Sequence, residues 1–399
     1  MVNVIGLGYI GLPTALMLAV HGAKVVGTDV DKNVIDMLNE NKLTFVEAGM
    51  PELFEEAVKN GVLFSCEYHQ ADIYIIAVPT PYDQKDRKLD TTYVTSAFSS
   101  VMRICPENAI IVIESTMPPS SIDMHIRPLI NKKVRLAHAP ERIIPGKMIF
   151  ELKHNARTIG VDSDDTGILL KELYASFCEN NIILTDIRTA EMSKVVENTY
   201  RDINIAFANE LAKICHFGNM DVYKIIDIAN RHPRVNILSP GPGVGGHCIS
   251  VDPWFLVGDY PGLANIILEA RQINDSMPEF VLMRISEIME SEKMLDFSRI
   301  GIYGLTYKEN VDDTRESPTL QLRDCMRRHL APPLKCYDPF IKKRITENQY
   351  FSLDLFLNDI DMVVIMVAHD EIIKYKELLA NKVILDTRNS IGLKGVYKL

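Results

Sequence analysis

Short apolar runs alternate with amphipathic stretches through the first third of the chain. Apolar runs bounded by turn residues are typical of buried strands, and helical periodicity between them indicates β-α-β units. Such units build a parallel sheet with helices on its faces. The pattern predicts strands at 2–5, 24–28, 73–78, 110–113 and 134–137, and helices at 13–21 and 51–60.

The pattern becomes helical from about Thr189. A long stretch without Pro or Gly keeps helical periodicity until Gly218, which is a natural stop signal. Further helices follow, and short apolar runs return near Ser298. The predicted helices are 191–217, 221–230 and 262–290, the last interrupted near Pro278, and the later strands are 300–305, 335–337, 362–367 and 383–385.

These patterns divide the 399 residues into three domains. We predict an α/β domain at 1–188, a central helical domain at 189–292 and a second, smaller α/β domain at 293–399. Apolar residues make up 47% of the chain, which is enough for sizeable cores.

Charge, hydropathy and cysteine content argue against a nucleic-acid partner, a membrane span and a metal site. The net charge of −10 argues against nucleic acid, because phosphate binding requires a basic face. No run approaches the ~20 apolar residues of a membrane span, and no basic region precedes the apolar stretch 15–20 as in a signal peptide. The seven cysteines include no CxxC pair, so we expect no metal site. Their odd number, in a chain without an export signal, indicates reduced thiols in the cytoplasm.

A GxGxxG motif, Gly6-Leu7-Gly8-Tyr9-Ile10-Gly11, follows the first predicted strand and opens the next helix. Its glycines permit a tight turn and close approach of the backbone to a pyrophosphate at the helix N-terminus. Alone, the motif is also compatible with a simple glycine-rich turn. The next strand, however, ends at Asp29, close to the spacing of about 20 residues expected for a ribose-binding acid. A carboxylate there repels a 2′-phosphate, so we predict NAD rather than NADP.

Three more predicted strands end in polar clusters, at 78–81, 114–116 and 140–142. Ligands of open α/β sheets bind beyond the carboxyl ends of the strands. Taken singly, each cluster is better explained as a strand-terminating turn. Three clusters in register with a dinucleotide motif favour one shared site. The clusters contain Thr80, Thr116, and Glu141 with Arg142.

A glycine-rich stretch, residues 239–248, ends in Cys248. Its four glycines allow the backbone to crowd a ligand and to turn N–H groups inward. An ionised cysteine is a strong nucleophile, so Cys248 is a candidate for covalent catalysis. The alternative is a flexible linker that ends in a buried cysteine.

Lys194 and Asn198 lie four residues apart in a predicted helix, so they share one face of it. A lysine and an amide on one face can polarise a carbonyl oxygen or hold an alkoxide. The alternative is a solvated helix face, which is the commoner environment of lysine.

Taken together, these motifs resemble the UDP-glucose/GDP-mannose dehydrogenase family over essentially the whole chain. The resemblance depends on several blocks in a fixed order, which makes it highly specific. The blocks are 6–13, then 191–194 with Asn198, then 245–248 with Asp252, then 304–308 with 312–313, Arg315, Ser317 and Pro318.

The resemblance implies an α/β fold with two Rossmann-like, doubly wound parallel-sheet domains joined by a central helical domain. In the family the first domain binds NAD, the last binds the UDP end of a UDP-sugar, and the helical domain forms the core of a dimer. We therefore expect a homodimer or a higher homo-oligomer, with no nucleic-acid and no membrane partner.

The family mechanism assigns catalytic roles to six residues. Lys194 and Asn198 would stabilise the developing oxygen charge. Cys248 would trap the aldehyde as a thiohemiacetal, which a second NAD oxidises to a thioester. Glu141, with Thr116 and Asp252, would position and deprotonate the hydrolytic water.

The resemblance also implies the binding residues. Those for NAD are Gly6, Gly8, Tyr9, Ile10, Gly11, Asp29, Thr80 and Thr116, with Arg315 reaching the cofactor from the last domain. Those for the UDP-sugar are Glu141, Arg142, Lys194, Asn198, Gly245 and Lys308, with Arg234 contacting it across the dimer interface.

Within the family, residues 231–236 and 240–243 most resemble the branch that oxidises UDP-N-acetyl-D-mannosamine. Val251 stands where enzymes acting on UDP-glucose usually carry a lysine. UDP-N-acetylglucosamine and UDP-glucose stay open as alternative substrates. The sequence also leaves open a two-electron β-hydroxyacid dehydrogenase, which lacks the cysteine and the third domain. A non-catalytic nucleotide-sugar-binding protein is open too, although it would be expected to lose Cys248, Lys194 or Glu141.

Overall fold

The structure, a computed structural model, describes residues 1–83, 88–144, 146–329 and 332–399. The chain divides into two compact units, Met1–Glu197 and Asn198–Leu399. None of the helices in these ranges is long and apolar enough to cross a membrane.

The first unit is built from short strands that alternate with helices. Its strands are β1 (Val2–Ile5), β2 (Val25–Thr28), β3 (Leu63–Ser65), β4 (Ile73–Ile76), β5 (Tyr82–Asp83), β6 (Lys88–Leu89), β7 (Ile110–Ile113), β8 (Arg135–His138), β9 (Arg157–Val161) and β10 (Ile182–Thr185). Its helices are α1 (Gly11–Val20), α2 (Lys32–Asn39), α3 (Met50–Lys59), α4 (Thr92–Ile104), α5 (Met148–His154), α6 (Asp164–Ala175) and the first part of α7 (Ile187–Phe217), with short helical turns at Ile122–Ile126 and Arg127–Leu129.

Eight of these strands form one sheet in the order β10-β9-β8-β7-β4-β1-β2-β3, and β5 and β6 form a separate antiparallel pair. From β3 to β8 all neighbours are parallel. This is the doubly wound order in which the direction of winding reverses between β1 and β4, and a dinucleotide binds at that reversal.

The strand β9 runs antiparallel to β8, whereas β10 is parallel to β9. In the described residues between β8 and β9, the helix is α5, which has 7 residues and spans about 10 Å. Because β9 is antiparallel to β8, it starts at the edge of the sheet where β8 ended. The parallel sheet expected from the sequence is therefore extended by two reversed strands at one side.

The second unit combines helices with a second sheet. Its helices are the remainder of α7, α8 (Val222–Ala229), α9 (Asp252–Asp259), α10 (Asn265–Asp275), α11 (Met277–Ser291), α12 (Pro318–Arg328), α13 (Leu353–Asn358) and α14 (Asp370–Lys374), with short turns at Phe297–Arg299 and Lys376–Leu379. Its strands are β11 (Ile300–Tyr303), β12 (Lys335–Tyr337), β13 (Gln349–Tyr350), β14 (Met362–Ile365), β15 (Val383–Asp386) and β16 (Tyr397–Lys398).

The second sheet has the order β13-β12-β11-β14-β15-β16, and all its strands are parallel. It therefore repeats the doubly wound order of the first sheet. One buried core joins this sheet to the helices: Ala208 and Ala212 of α7 and Val281 of α11 belong to the same apolar cluster as Ile302. The helical section and the second sheet are thus folded around a common core.

Most elements predicted from the sequence are confirmed, and β1, β7 and β12 have the predicted bounds. The long helix begins earlier than predicted, at Ile187. The predicted interruption of 262–290 falls at Ser276, which separates α10 from α11, and Pro278 then occupies the first turn of α11, where its missing N–H costs nothing. The helix α9 was not predicted, because glycine-rich sequence precedes it.

Candidate active site

The loop between β1 and α1 has the backbone geometry of a phosphate loop. Gly6 adopts φ +87°, and a Cβ on it would lie 2.6 Å from the carbonyl oxygen of Ala77. A Cβ on Gly11 would lie 1.8 Å from the carbonyl oxygen of Gly6. Around Gly8, by contrast, a Cβ would meet nothing within 4 Å. Gly6 and Gly11 are therefore required by packing, whereas Gly8 leaves an open backbone face that a pyrophosphate can approach.

The carboxylate of Asp29 is held next to this loop. One oxygen accepts the N–H of Leu7 at 2.7 Å and the other accepts the N–H of Asp31 at 2.9 Å. The side chain is half-buried at the end of β2, so part of it stays open. The sequence prediction that Asp29 and the glycine motif belong to one site agrees with this geometry, which fits an adenosine ribose.

The polar clusters after β4 and β7 lie at the same edge of the sheet as the phosphate loop. The Ser115 hydroxyl donates to the carbonyl of Val78 at 2.7 Å and so joins the two clusters. Thr80 and Thr116 are both half-buried beside this link. At the loop itself, the ring of Tyr9 packs on Phe45 with 4.5 Å between ring centroids.

A buried acid and a buried lysine lie near each other in the first unit. Glu141 follows β8, and Lys194 lies in α7. Burial raises the pKa of Glu141, and the positive charge of Lys194 acts in the opposite direction. The carboxylate also accepts the N–H of Ile143. A carboxylate with a raised pKa is suited to accept a proton near neutral pH, as a general base does.

The guanidinium of the neighbouring Arg142 is hydrogen-bonded to other groups of the same unit. Its Nε donates to Glu197 of α7 at 2.8 Å, and its Nη1 donates to the carbonyl of Ala156 at 2.6 Å. Since Glu197 lies one helical turn from Lys194, this ion pair fixes the Glu141 loop against the part of α7 that carries Lys194. These contacts give Arg142 a positioning role, and its predicted contact with substrate stays a prediction.

Two further acids that the sequence analysis left without a role hold this site together. Glu191 of α7 is buried and accepts the N–H groups of Ser120 at 2.7 Å and Ile122 at 2.8 Å, and its burial raises its pKa to about 7. It thereby anchors the segment that follows Thr116. Glu191 belongs to the block 191–194 that resembles the family, so the sequence did offer a reason to consider it.

The second acid, Glu47, is also buried. Its carboxylate accepts the N–H groups of Gly146 at 2.7 Å and Met148 at 2.9 Å. It therefore holds the end of the segment that begins with Glu141. No local pattern around Glu47 distinguishes it from an exposed surface acid, so sequence reasoning missed it.

In the second unit, Cys248, Asp252 and Asn198 are brought together. Cys248 is half-buried, and its carbonyl accepts the N–H of Asp252, the first residue of α9, at 2.8 Å. The buried Asp252 carboxylate accepts the side-chain amide of Asn198 at 2.6 Å. The structure thus places three predicted catalytic residues in one cluster, with the cysteine in the segment that leads into α9.

The glycines before Cys248 are required by neighbouring protein atoms. A Cβ on Gly245 would lie 2.5 Å from the carbonyl oxygen of Glu316, and one on Gly246, which has φ +86°, would lie 2.9 Å from the Tyr307 ring. The N–H of Gly246 donates to the carbonyl of Arg315 at 2.9 Å. The stretch is therefore a fitted segment and not a flexible linker, and the predicted contact of Gly245 with substrate stays a prediction.

The remaining predicted residues of the second unit lie on loops. Lys308 is half-buried after β11. Arg315 pairs with Asp313 at 2.5 Å. Arg234 is exposed on the segment after α8, which Asn204 of α7 holds by accepting the N–H of Leu238 at 3.0 Å.

Sequence reasoning also missed Arg388, which follows β15. It lines a small cavity at the winding reversal of the second sheet, together with Pro242, Thr306 and Val367. A Cβ on Gly241 would lie 2.5 Å from its guanidinium. A cation at this edge of a doubly wound sheet is well placed for a nucleotide phosphate. The polar sequence after the predicted strand 383–385 was the available signal.

Both units are therefore of the Rossmann class, and the first carries the loop and the acid of a dinucleotide-dependent dehydrogenase. The chain belongs to the UDP-glucose/GDP-mannose dehydrogenase family, and three domain models of that family match it. They are the NAD binding domain at residues 1–178, the central domain at 188–276 and the UDP binding domain at 301–392. The predicted family, fold class and cofactor, NAD, are thereby confirmed.

Similar proteins cover the whole length of the chain. A UDP-N-acetyl-D-mannosamine dehydrogenase of Methanococcus vannielii is 43% identical over 98% of this chain and 92% of its own. An NDP-N-acetyl-D-galactosaminuronic acid dehydrogenase of Ralstonia nicotianae is 37% identical over 99% of this chain and 97% of its own. The solved UDP-D-ManNAc dehydrogenase of Pyrococcus horikoshii is 34% identical, with a TM-score of 0.91 over 100% of this chain and 98% of that one.

Proposed function

We propose that this protein oxidises the C6 primary alcohol of UDP-N-acetyl-D-mannosamine to a carboxylate and so forms UDP-N-acetyl-D-mannosaminuronate. The observation that carries the proposal is the cluster of Cys248, Asp252 and Asn198, because a cysteine nucleophile distinguishes a four-electron oxidation from a simple alcohol oxidation. Residues 231–236, Val251 and the relatives named for N-acetyl-D-mannosamine support this sugar.

NAD, when bound, accepts a hydride from the sugar carbon in each of the two oxidations. The residues that would hold it are those of the phosphate loop with Asp29, and Thr80, Thr116 and Arg315 are proposed as further contacts. The open backbone face at Gly8 and the half-open carboxylate of Asp29 fit a dinucleotide.

In the first oxidation, the alcohol loses a proton as its carbon loses the hydride. Lys194 and Asn198, one turn apart on α7, would stabilise the negative charge on the oxygen. The thiolate of Cys248 then adds to the carbonyl carbon of the aldehyde, which takes up a proton and becomes a thiohemiacetal. The covalent bond keeps the reactive aldehyde on the enzyme.

The second oxidation removes the remaining hydride from the same carbon and a proton from its oxygen, leaving a thioester. Water attacks this thioester, Glu141 takes a proton from the water, and the thiolate of Cys248 leaves. Burial raises the pKa of Glu141, which favours this role as a base. Thr116 and Asp252 are proposed to position the water.

We further propose that Lys308 and Arg388 bind the diphosphate of the substrate, with Arg142 and Gly245 closer to the sugar. Arg234 would reach the substrate of a second copy in a cytoplasmic homodimer. The division into domains at 1–188, 189–292 and 293–399 belongs to the same proposal, and the three matched models, at 1–178, 188–276 and 301–392, support it.

The test is an activity screen in which NADH absorbance is followed with UDP-N-acetylmannosamine, UDP-N-acetylglucosamine, UDP-N-acetylgalactosamine and UDP-glucose. We expect the highest kcat/KM with UDP-N-acetylmannosamine, two NADH per sugar and no free aldehyde. UDP-glucose serves as the control that lacks the N-acetyl group. A higher kcat/KM with another sugar would contradict the substrate, and one NADH per sugar would contradict the four-electron reaction in favour of the β-hydroxyacid type.

A further inference from the structure

The second sheet repeats the acid of the dinucleotide site. In the first unit the carboxylate of Asp29, after β2, accepts the N–H of Leu7 at 2.7 Å. In the second unit the carboxylate of Asp338, after β12, accepts the N–H of Leu305 at 2.6 Å. The glycine that precedes each leucine has a positive φ, +97° for Gly304. The two loops therefore have the same local construction.

The two acids differ in what covers them. Asp29 is half-buried, whereas the side chain of Asp338 is fully buried. His369 lies against Asp338 with its Nε2 3.2 Å from Oδ2, and the N–H of Phe340 donates to Oδ1 at 2.8 Å. The carboxylate of Asp338 is thus committed to protein groups and cannot receive a ribose.

The hydrogen bonds of His369 define its tautomer. Its Nδ1 accepts the N–H of Asn310 at 2.9 Å, so the ring proton is on Nε2 and is donated to Asp338. A neutral imidazole therefore connects the carboxylate to the backbone of Asn310. Asn310 has φ +58°, and its side-chain oxygen also accepts the N–H of Asp370 at 3.1 Å.

The segment from Gly304 to Asn310 is consequently held at both ends by one buried pair. Asp338 accepts the N–H groups of Leu305 and Thr306 at one end, and His369 holds Asn310 at the other. Between the two ends the Thr306 hydroxyl donates to the carbonyl of Lys308 at 2.9 Å. Lys308 is therefore presented from a loop whose backbone has little freedom.

We propose that His369 is a positioning residue for nucleotide-sugar binding, acting through Lys308. By fixing the loop before a ligand arrives, the Asp338–His369 pair removes the entropy cost of ordering a long lysine side chain against a diphosphate. This inference rests on the proposed contact between Lys308 and the nucleotide. The role of His369 is to hold the loop, and it touches no substrate.

Two substitutions separate the two hydrogen bonds of His369. In His369→Gln the amide nitrogen can still donate to Asp338, but the acceptor for Asn310 is lost. In His369→Asn the amide oxygen can still accept from Asn310, but the donor to Asp338 is lost. For the full-length protein we expect both variants to raise the Kd of UDP, measured by calorimetry, about tenfold, which is about 1.4 kcal/mol. The Kd of NAD should change less than about twofold.

The matched control is His329→Gln, an exposed histidine of the same domain, which should bind UDP as the wild type does. An unchanged Kd of UDP in both His369 variants would overturn the inference. Equal weakening of UDP and NAD binding would overturn it as well, since that result indicates a general structural role.

A double-mutant cycle with Lys308→Met connects the effect to the lysine. If His369 acts through Lys308, adding His369→Gln to Lys308→Met should weaken UDP binding no further. Additive losses would overturn the inference. If Lys308→Met alone left UDP binding unchanged, the proposed nucleotide contact of Lys308 would be wrong, and the inference would fail with it.

Discussion

At the scale of single residues, Cys248 carries the sharpest chemical prediction. A serine hydroxyl is a much poorer nucleophile at neutral pH than a thiolate, and its ester is a poorer acyl donor. We expect Cys248→Ser to bind NAD and UDP-sugar like the wild type. Its rate of acid formation should fall by at least about a thousandfold, as it does when other enzymes lose their nucleophile. Acid formation is measured by chromatography, and binding by calorimetry.

The matched control is Cys66→Ser, because Cys66 is an exposed cysteine. This variant should keep wild-type kinetics. Acid formation by Cys248→Ser at the wild-type rate would rule out the covalent intermediate.

At the scale of secondary structure elements, Glu191 links α7 to the segment after Thr116. Burial raises the pKa of Glu191 from 4.5 to about 7, so the folded protein binds this proton more tightly than the unfolded chain does. The resulting stabilisation is fully present below pH 4.5 and is lost as the pH rises through about 7. The loss is about 3 kcal/mol, at 1.4 kcal/mol per pKa unit.

We therefore expect the urea midpoint of the wild type, relative to that of Glu191→Gln, to fall between pH 5 and pH 8, since the amide does not titrate. Glu210→Gln, an exposed acid of the same helix, is the control and should follow the wild type at every pH. Parallel profiles for the wild type and Glu191→Gln would contradict the raised pKa.

At the scale of the whole molecule, the second part of α7 carries an exposed apolar stripe. Tyr200, Phe207, Ile214 and Phe217 are each half or more exposed, and the first three recur every seven residues. A period of seven is typical of two helices that pack along their length. We expect two copies of the chain to pair through this stripe, with a mass near twice 45.1 kDa.

Phe207→Glu places a charge in the middle of that stripe, and sedimentation velocity should then show the monomer. Leu295→Glu alters a fully exposed leucine outside α7 and should leave the dimer intact. A dimer that persists in Phe207→Glu would show that another surface joins the copies.

The sequence by itself determined what depends on local backbone geometry and periodicity. The strand at 110–113 could be read from an unbroken apolar run, because a strand buried on both faces needs apolar residues. The strands at 2–5 and 335–337 each carry one polar residue, Asn3 and Lys335, next to apolar ones. The phosphate loop could be read from Gly6 and Gly11, because only glycine fits those close approaches. Asp29 could be predicted from its position along the sequence, about 20 residues after that motif.

Only the tertiary structure decided which distant residues hold the site. Glu47 meets Gly146, 99 positions away, and Arg142 meets Glu197, 55 positions away, without any local pattern in the chain. Asp338 resembles an ordinary turn residue in the sequence until His369 is seen to cover it. Such contacts depend on the order of strands in a sheet and on the packing of helices over it. They bring together residues whose separation along the chain carries no periodic signal, and folding alone makes them neighbours.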